Sequence, residues 1–195
     1  MKNIILASGS PRRKELMERL DVDFEVIVAN VDESLDKTLP IEKALIKLAN
    51  KKAKAVFKDY RDSIVIGADS IVFQNDVIFN KPKDKEDAYQ MIKAFSNNHH
   101  LVLTAVSIID KSQTVNFITK CKVYFNEISH QEINEYLKSD EYRDKAGAYA
   151  IQGLMSKFIY KVEGDYYAVV GFPVAEIYSV LRDDFNVYSQ LLNKG

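Results

Sequence analysis

The stretch from Ile64 to Pro82, IVIGADSIVFQNDVIFNKP, sets a lone carboxylate, Asp69, inside an apolar run. A bare carboxylate is costly in such surroundings, so any fold of this chain must bring a cation or hydrogen-bond donors to it. Ile64, Val65 and Ile66 read as a buried strand, Gly67 and Ala68 remove side-chain bulk, and the apolar run resumes at Ile71, Val72 and Phe73. A turn at Gln74, Asn75 and Asp76 leads to a second strand, Val77 to Phe79, which ends in Asn80, Lys81 and Pro82. Such a hairpin can return Lys81 toward Asp69. On these residues alone, an ion pair closing a hairpin and a functional site are equal alternatives.

Upstream, Ile4, Ile5 and Leu6 form a short strand that runs into Ala7-Ser8-Gly9-Ser10-Pro11-Arg12-Arg13. Ser10 suits a helix N-cap and Pro11 the first helical position, with Leu16, Met17 and Leu20 on the apolar face. Small residues at this helix start let an anion approach the unpaired N–H groups. Arg12 and Arg13 in the first turn oppose the helix dipole unless an anion is present, which favours an anion cradle over a plain capped helix. The cradle is not a Walker A loop, because the glycine spacing and the Gly-Lys-Ser/Thr ending are absent.

Phe24 to Val28 reads as a second strand with apolar positions 24, 26 and 28, followed by a polar loop carrying Asp32 and Glu33. Glu33 is a candidate metal ligand, set against the commoner solvated loop carboxylate. After Pro40, Ile41, Leu45, Leu48, Ala55 and Val56 trace one helical stripe on which Lys52 also falls, whereas Lys51, Lys54 and Lys58 read as surface residues. Lys52 therefore needs an anionic partner or must snorkel out.

Asp84 caps a helix with Ala88, Met91, Ile92 and Phe95 inward, and Ser96 to His99 form a turn. Leu101 to Ile109 and Thr114 to Phe125 read as two long strands joined around Asp110 to Gln113. His99 and His100 lack metal-ligand spacing and read as structural or surface residues. Ser129 to Glu132 is a capping box before Ile133, Tyr136 and Leu137. The small residues of Ala146-Gly147-Ala148 allow close backbone approach to a ligand, and Gln152 suits either a nucleobase edge or buried backbone. Phe158 to Val162 and Tyr166 to Val170 read as strands about a turn at Gly164 and Asp165, and a last helix follows Pro173.

With 195 residues, the chain suffices for one domain, or two small lobes sharing a sheet, without disulfide staples. A net charge of −1 argues against a general nucleic-acid or membrane-surface binder. The single cysteine, Cys121, sits in a strand-like setting and reads as a buried or half-buried thiol. Four apolar residues after Met1, Lys2 and Asn3 are too few for a signal peptide, and no run approaches a membrane span, so a cytoplasmic protein is expected.

Four blocks carry a resemblance to a known family. They are Ser8-Gly9-Ser10-Pro11-Arg12-Arg13; Gly67-Ala68-Asp69-Ser70 with Lys81-Pro82; Asp144 to Gly153; and Gly164-Asp165-Tyr166-Tyr167 with Val169-Val170-Gly171-Phe172-Pro173. In this order and spacing they resemble the Maf family of nucleoside triphosphate pyrophosphatases over nearly the whole chain. The resemblance implies a single Maf-like domain with a mixed α/β (α+β) fold. It would have two lobes around a long mixed β-sheet and a central nucleotide cleft, similar to the inosine triphosphate pyrophosphatases. It also implies hydrolysis between the α- and β-phosphates with a divalent metal, Mg or Mn. Asp69 would be the catalytic carboxylate, as metal ligand or as the group that orients and deprotonates water, and Glu33 would assist with the metal. Ser8, Arg13, Lys52 and Lys81 would hold the triphosphate.

Arg12, Gln152 and the position of Ser70 match base-selection sites of the branch resembling dTTP/UTP pyrophosphatases. The 7-methyl-GTP branch tends to an aromatic residue in place of Arg12. Ser70 replaces the usual threonine, Ala150 a frequent glycine, Ala168 a typical polar residue and Asn97 a common turn glycine. The alternatives are the same reaction on 7-methyl-GTP or another non-standard nucleotide, and a nucleotide-sensing, septum-regulating binding protein. A nucleoside triphosphate is the expected partner, with no nucleic acid and no membrane, and a homodimer is the family-based expectation.

Overall fold

The computed structural model describes residues 3–190; the leader reading at Met1 and Lys2 and the end of the tail fall outside them. In chain order the elements are β1 (Ile4–Leu6), α1 (Pro11–Glu18), β2 (Glu25–Val26), α2 (Ile41–Phe57), β3 (Ile64–Gln74), β4 (Val77–Phe79), α3 (Lys85–Phe95), β5 (His99–Ile109) and β6 (Thr114–Phe125). They continue as α4 (His130–Tyr136), β7 (Ile159–Glu163), α5 (Tyr166–Val170) and α6 (Val174–Phe185). The strands form one seven-stranded sheet in the order β2-β1-β3-β5-β6-β7, with β4 added to β3. It is mixed: β1 runs parallel to β2 and β3, while β4 and β7 pair antiparallel with β3 and β6. This is the mixed α/β class read from the sequence. Among the described residues no helix is long and apolar enough to cross a membrane.

The chain divides into two compact units. The first holds the chain up to Asp69, Thr104–Thr119 and the chain from Gly171 on; the second holds Ser70–Leu103 and Lys120–Val170.

In the first unit, all three residues of β1 are buried, as suits a central parallel strand covered on both faces. Helix α1 starts as its sequence demands: Ser10 accepts a hydrogen bond from the Arg13 N–H and Pro11 occupies the first turn. Helix α2 buries Ala44, Leu45, Leu48, Ala49, Lys52, Ala53 and Val56, so Ala49 and Ala53 lie on the inward stripe, where Ala55 was expected. Ile5, Ala7, Ala53, Val56, Val65 and Ile109 form its core.

The segment expected as a strand over Phe24–Val28 pairs only at Glu25 and Val26, and its phase is inverted. Val26 and Val28 are exposed, whereas Ile27 and Ala29 pack against the core. The apolar set at 24, 26 and 28 competed with Ile27 and Ala29, and a shift of one residue exchanges the faces of a strand.

In the second unit, β3 and β4 close through Asn75 and Asp76, both at positive φ, while Gln74 belongs to the strand. Asp84 caps α3, which buries Ala88, Met91, Ile92 and Phe95, and the Ser129–Glu132 capping box starts α4. The turn after α3 ends at Asn98, since His99 already opens β5, and Asn97 takes the left-handed φ of 50°. Tyr166–Val170, expected as a strand, is a helical turn instead. The Asp165 carboxylate accepts from the Tyr167 N–H at 2.8 Å and its carbonyl from the Val169 N–H at 3.2 Å, so local capping overrides the strand preference of Tyr and Val.

The core of this unit surrounds Phe95, Phe125, Tyr149 and the buried His100. The Tyr149 hydroxyl meets His100 Nε2 at 2.9 Å, while His100 Nδ1 has no hydrogen-bond partner among the described residues. Burial lowers the His100 pKa from an ordinary 6.5 to about 3, with His99 adding to the shift. Above 6.5 the imidazole is neutral in both folded and unfolded chains. Below it the unfolded chain takes up a proton that the folded protein refuses, so stability falls with pH down to about 3. Urea denaturation from about pH 7 to about pH 4 should show this component, about 1.4 kcal/mol per pH unit, and His100→Gln should remove it from the slope.

Candidate active site

The first unit assembles a charged cluster around one lysine. Lys52, on the buried stripe of α2, has a side chain only 7% exposed, and its Nζ donates to Asp69 Oδ1 at 2.5 Å and lies 2.9 Å from Glu33 Oε1. The hairpin reading offered Lys81 as one partner of Asp69, and the family resemblance assigned Lys81 to the triphosphate. Asp69 instead pairs with Lys52, which comes from a helix earlier in the chain.

The backbone explains how that helix reaches the strand. Gly67 lies two residues before Asp69, and a Cβ there would stand 2.5 Å from the Ala49 carbonyl oxygen and 2.7 Å from the Ala53 nitrogen. Glycine on the strand and alanines one helical turn apart on α2 let the two backbones touch. Lys52 precedes Ala53, so the same close approach delivers its ammonium to Asp69.

Arg13, in the first turn of α1, is half-buried and donates from Nε to the Gly171 carbonyl at 3.0 Å. Burial pushes its pKa below the ordinary value, and the Asp69 and Glu33 carboxylates act in the opposite direction. An arginine remains charged under such a shift. The buried Ser8 hydroxyl accepts from the Ser10 N–H at 3.2 Å, which shapes the loop entering α1. Arg12 is half-buried beside Arg13 and lowers its pKa through like charge.

Of the residues singled out in the sequence, Ser8, Arg12, Arg13, Glu33, Lys52 and Asp69 thus belong to the first unit. Ser70 follows Asp69 directly and is half-buried, and it opens the second unit with Lys81 and Gln152, both exposed. Exposure of Gln152 removes the reading in which it satisfies buried backbone. Its loop is firmly held: Tyr136 donates to the Ala148 carbonyl at 2.9 Å, and Glu141 accepts from the Leu154 N–H at 3.1 Å. The Gly171 carbonyl and the Gly67–Ala49–Ala53 contact were not foreseen. The contact had a visible signal, two alanines four apart on a buried stripe and a glycine in a strand; the carbonyl had none.

The donor set fits a divalent cation of the hard class. Two carboxylates converge on one positively charged group, and Mg2+ is commonly held by one or two carboxylates with water and substrate phosphates filling the remaining positions. Among the described residues no group of three or more His, Cys, Asp or Glu side chains could hold a metal. A depression of about 300 Å3 lined by Asp32, Asp36, Lys47 and Lys51 includes none of these residues. Its charges are already satisfied: Lys47 binds Asp36 at 2.8 Å and Lys51 the Asp32 carbonyl at 2.7 Å.

Gly67→Ala should destabilise the protein by about 1–3 kcal/mol or more, because only backbone is available to yield to the new methyl group. Urea denaturation at neutral pH measures this directly.

The chain is similar to known proteins over most of its length. A family model described as Maf-like protein matches residues 3–184. The dTTP/UTP pyrophosphatase of Alkaliphilus oremlandii (strain OhILAs) is 46% identical over 191 residues, 96% of this chain and 98% of that protein. The dTTP/UTP pyrophosphatase of Geobacillus sp. (strain WCH70) is 44% identical over 175 residues, 90% of this chain and 94% of that protein. Among solved structures, the Ham1 protein of Staphylococcus aureus superimposes with a TM-score of 0.52 at 14% identity, covering 94% of this chain and all of that one, which is a likeness of fold.

Proposed function

The chain belongs to the Maf-like protein family, and on that premise we propose that it is a nucleoside triphosphate pyrophosphatase acting on dTTP and UTP. Water attacks the α-phosphorus, the bond to the β-phosphate breaks, and the products are the nucleoside monophosphate and pyrophosphate. The observation that carries the chemistry is the convergence of Lys52, Asp69 and Glu33 at one point, with Arg13 close enough to feel both carboxylates. The choice of nucleotide rests on the names of the relatives.

Phosphoryl chemistry asks the protein mainly for positioning and for neutralisation of phosphate charge. Arg13 and Lys52 supply positive donors in the first unit, Ser8 shapes the loop entering α1, and Lys81 is proposed as a further phosphate contact. Asp69 accepts a hydrogen bond from the attacking water. Carboxylates are weak bases near neutral pH, so orienting that water is the larger part of its work. Asp69 and Glu33 would hold a Mg2+ or Mn2+, which would supply charge neutralisation at the phosphate oxygens. Arg12, Ser70 and Gln152 are proposed to select the base. We also take the protein to be cytoplasmic, on its sequence, and a homodimer, on the resemblance.

A panel of nucleoside triphosphates with Mg2+ or Mn2+ and product identification tests this reading. dTTP and UTP should lead and release pyrophosphate; release of orthophosphate, or a preference for 7-methyl-GTP, would overturn it. Asp69→Asn should lower kcat by about 100-fold or more, measured on protein whose fold is checked by circular dichroism.

A further inference from the structure

We propose that the Lys52 ammonium takes the place of the divalent cation in the nucleotide-free protein, so that lysine and cation compete for the same two carboxylates. The proposal rests on the metal-dependent reading above and concerns how the cation enters. Lys52 is almost wholly buried, and its Nζ lies within 2.5 Å of Asp69 Oδ1 and 2.9 Å of Glu33 Oε1. A cation bridging those two oxygens would stand close to where the ammonium stands now. Both cannot hold the position, since like charges at such separations repel strongly in a partly buried site.

The lysine also has little freedom to leave by itself. Its backbone is fixed by the contact of α2 with Gly67, which lies against Ala49 and Ala53. What can release the ammonium is another anion within reach of its flexible stem, and a triphosphate is such an anion. Nucleotide and cation should therefore enter together: the phosphates take over Lys52, and the carboxylates it gives up take the cation. Without nucleotide the ammonium keeps the carboxylates neutralised and the affinity for a bare cation low. This makes metal binding conditional on substrate, a coupling between two ligands that runs through one side chain.

Mn2+ binding in the absence of nucleotide, followed by electron paramagnetic resonance of the free ion, tests the proposal on the intact protein. Lys52→Met should bind Mn2+ about 5–150-fold more tightly than the wild type, the usual size of a coupling between linked ligands. Lys52→Arg, which keeps the charge, should bind as weakly as the wild type. Adding the α,β-methylene analogue of UTP should tighten Mn2+ binding more in the wild type than in Lys52→Met, where the competing cation has been removed. Equal nucleotide-free affinity in the wild type and Lys52→Met would overturn the proposal, as would tightening in Lys52→Arg equal to that in Lys52→Met. Circular dichroism checks the fold of each variant, and Lys52→Gln replaces Lys52→Met if the latter is unfolded. Neither binding measurement uses turnover. Absence of pyrophosphate release would thus refute the proposed activity alone, and unchanged Mn2+ affinity would refute this inference alone.

Discussion

The first unit depends on a lysine held against two carboxylates by a helix pressed onto a strand. Removing one partner of a buried ion pair costs about 3–5 kcal/mol, because the other charge is left without compensation. Whole domains of this kind are stable by only about 5–15 kcal/mol, so leaving either charge uncompensated is a large cost. It exists because Gly67, Ala49 and Ala53 allow the backbones of α2 and β3 to meet. The residues that make the packing close are neighbours of the residues that carry the charge. Core and site are thus one piece of structure, and a change that loosens the first misplaces the second.

That arrangement also explains why charged side chains are tolerated so deep in the fold. Lys52 is a cation on an apolar stripe, Asp69 a carboxylate in an apolar strand, and each removes the penalty of the other. Arg13 is restrained by the Gly171 carbonyl, so its guanidinium is held in place before any ligand arrives. A set of donors ordered in advance gives up less entropy when it receives a triphosphate. The second unit is built differently, around an aromatic core in which His100 is kept neutral by burial. There the Tyr136 and Glu141 hydrogen bonds hold the loop bearing Gln152, while Gln152 itself remains exposed.

Local rules made much of the chain legible. Ser10, Asp84 and Ser129 cap their helices as their spacing requires, because a cap is settled within about one turn of its own sequence. Asn75 and Asp76 close a tight hairpin for the same reason. Two segments misled. In the edge strand β2, two overlapping apolar sets offered opposite phases, and packing of Ile27 and Ala29 against the core chose between them. In α5, strand-forming side chains gave way to the capping offered by Asp165.

The identity of the charged residues was written in the chain: Asp69 interrupts an apolar run, Lys52 interrupts an apolar stripe, and each had to find an opposite charge. Which charge each found was a matter for the tertiary structure. The hairpin offered Lys81 as a candidate, yet Asp69 meets a lysine seventeen residues earlier, on α2. Sequence determines where a desolvated charge must be compensated, because burial and hydrophobic pattern are local and periodic. Only the fold decides the partner, because that depends on which backbones can approach closely enough, and here the approach was permitted by a glycine facing two alanines.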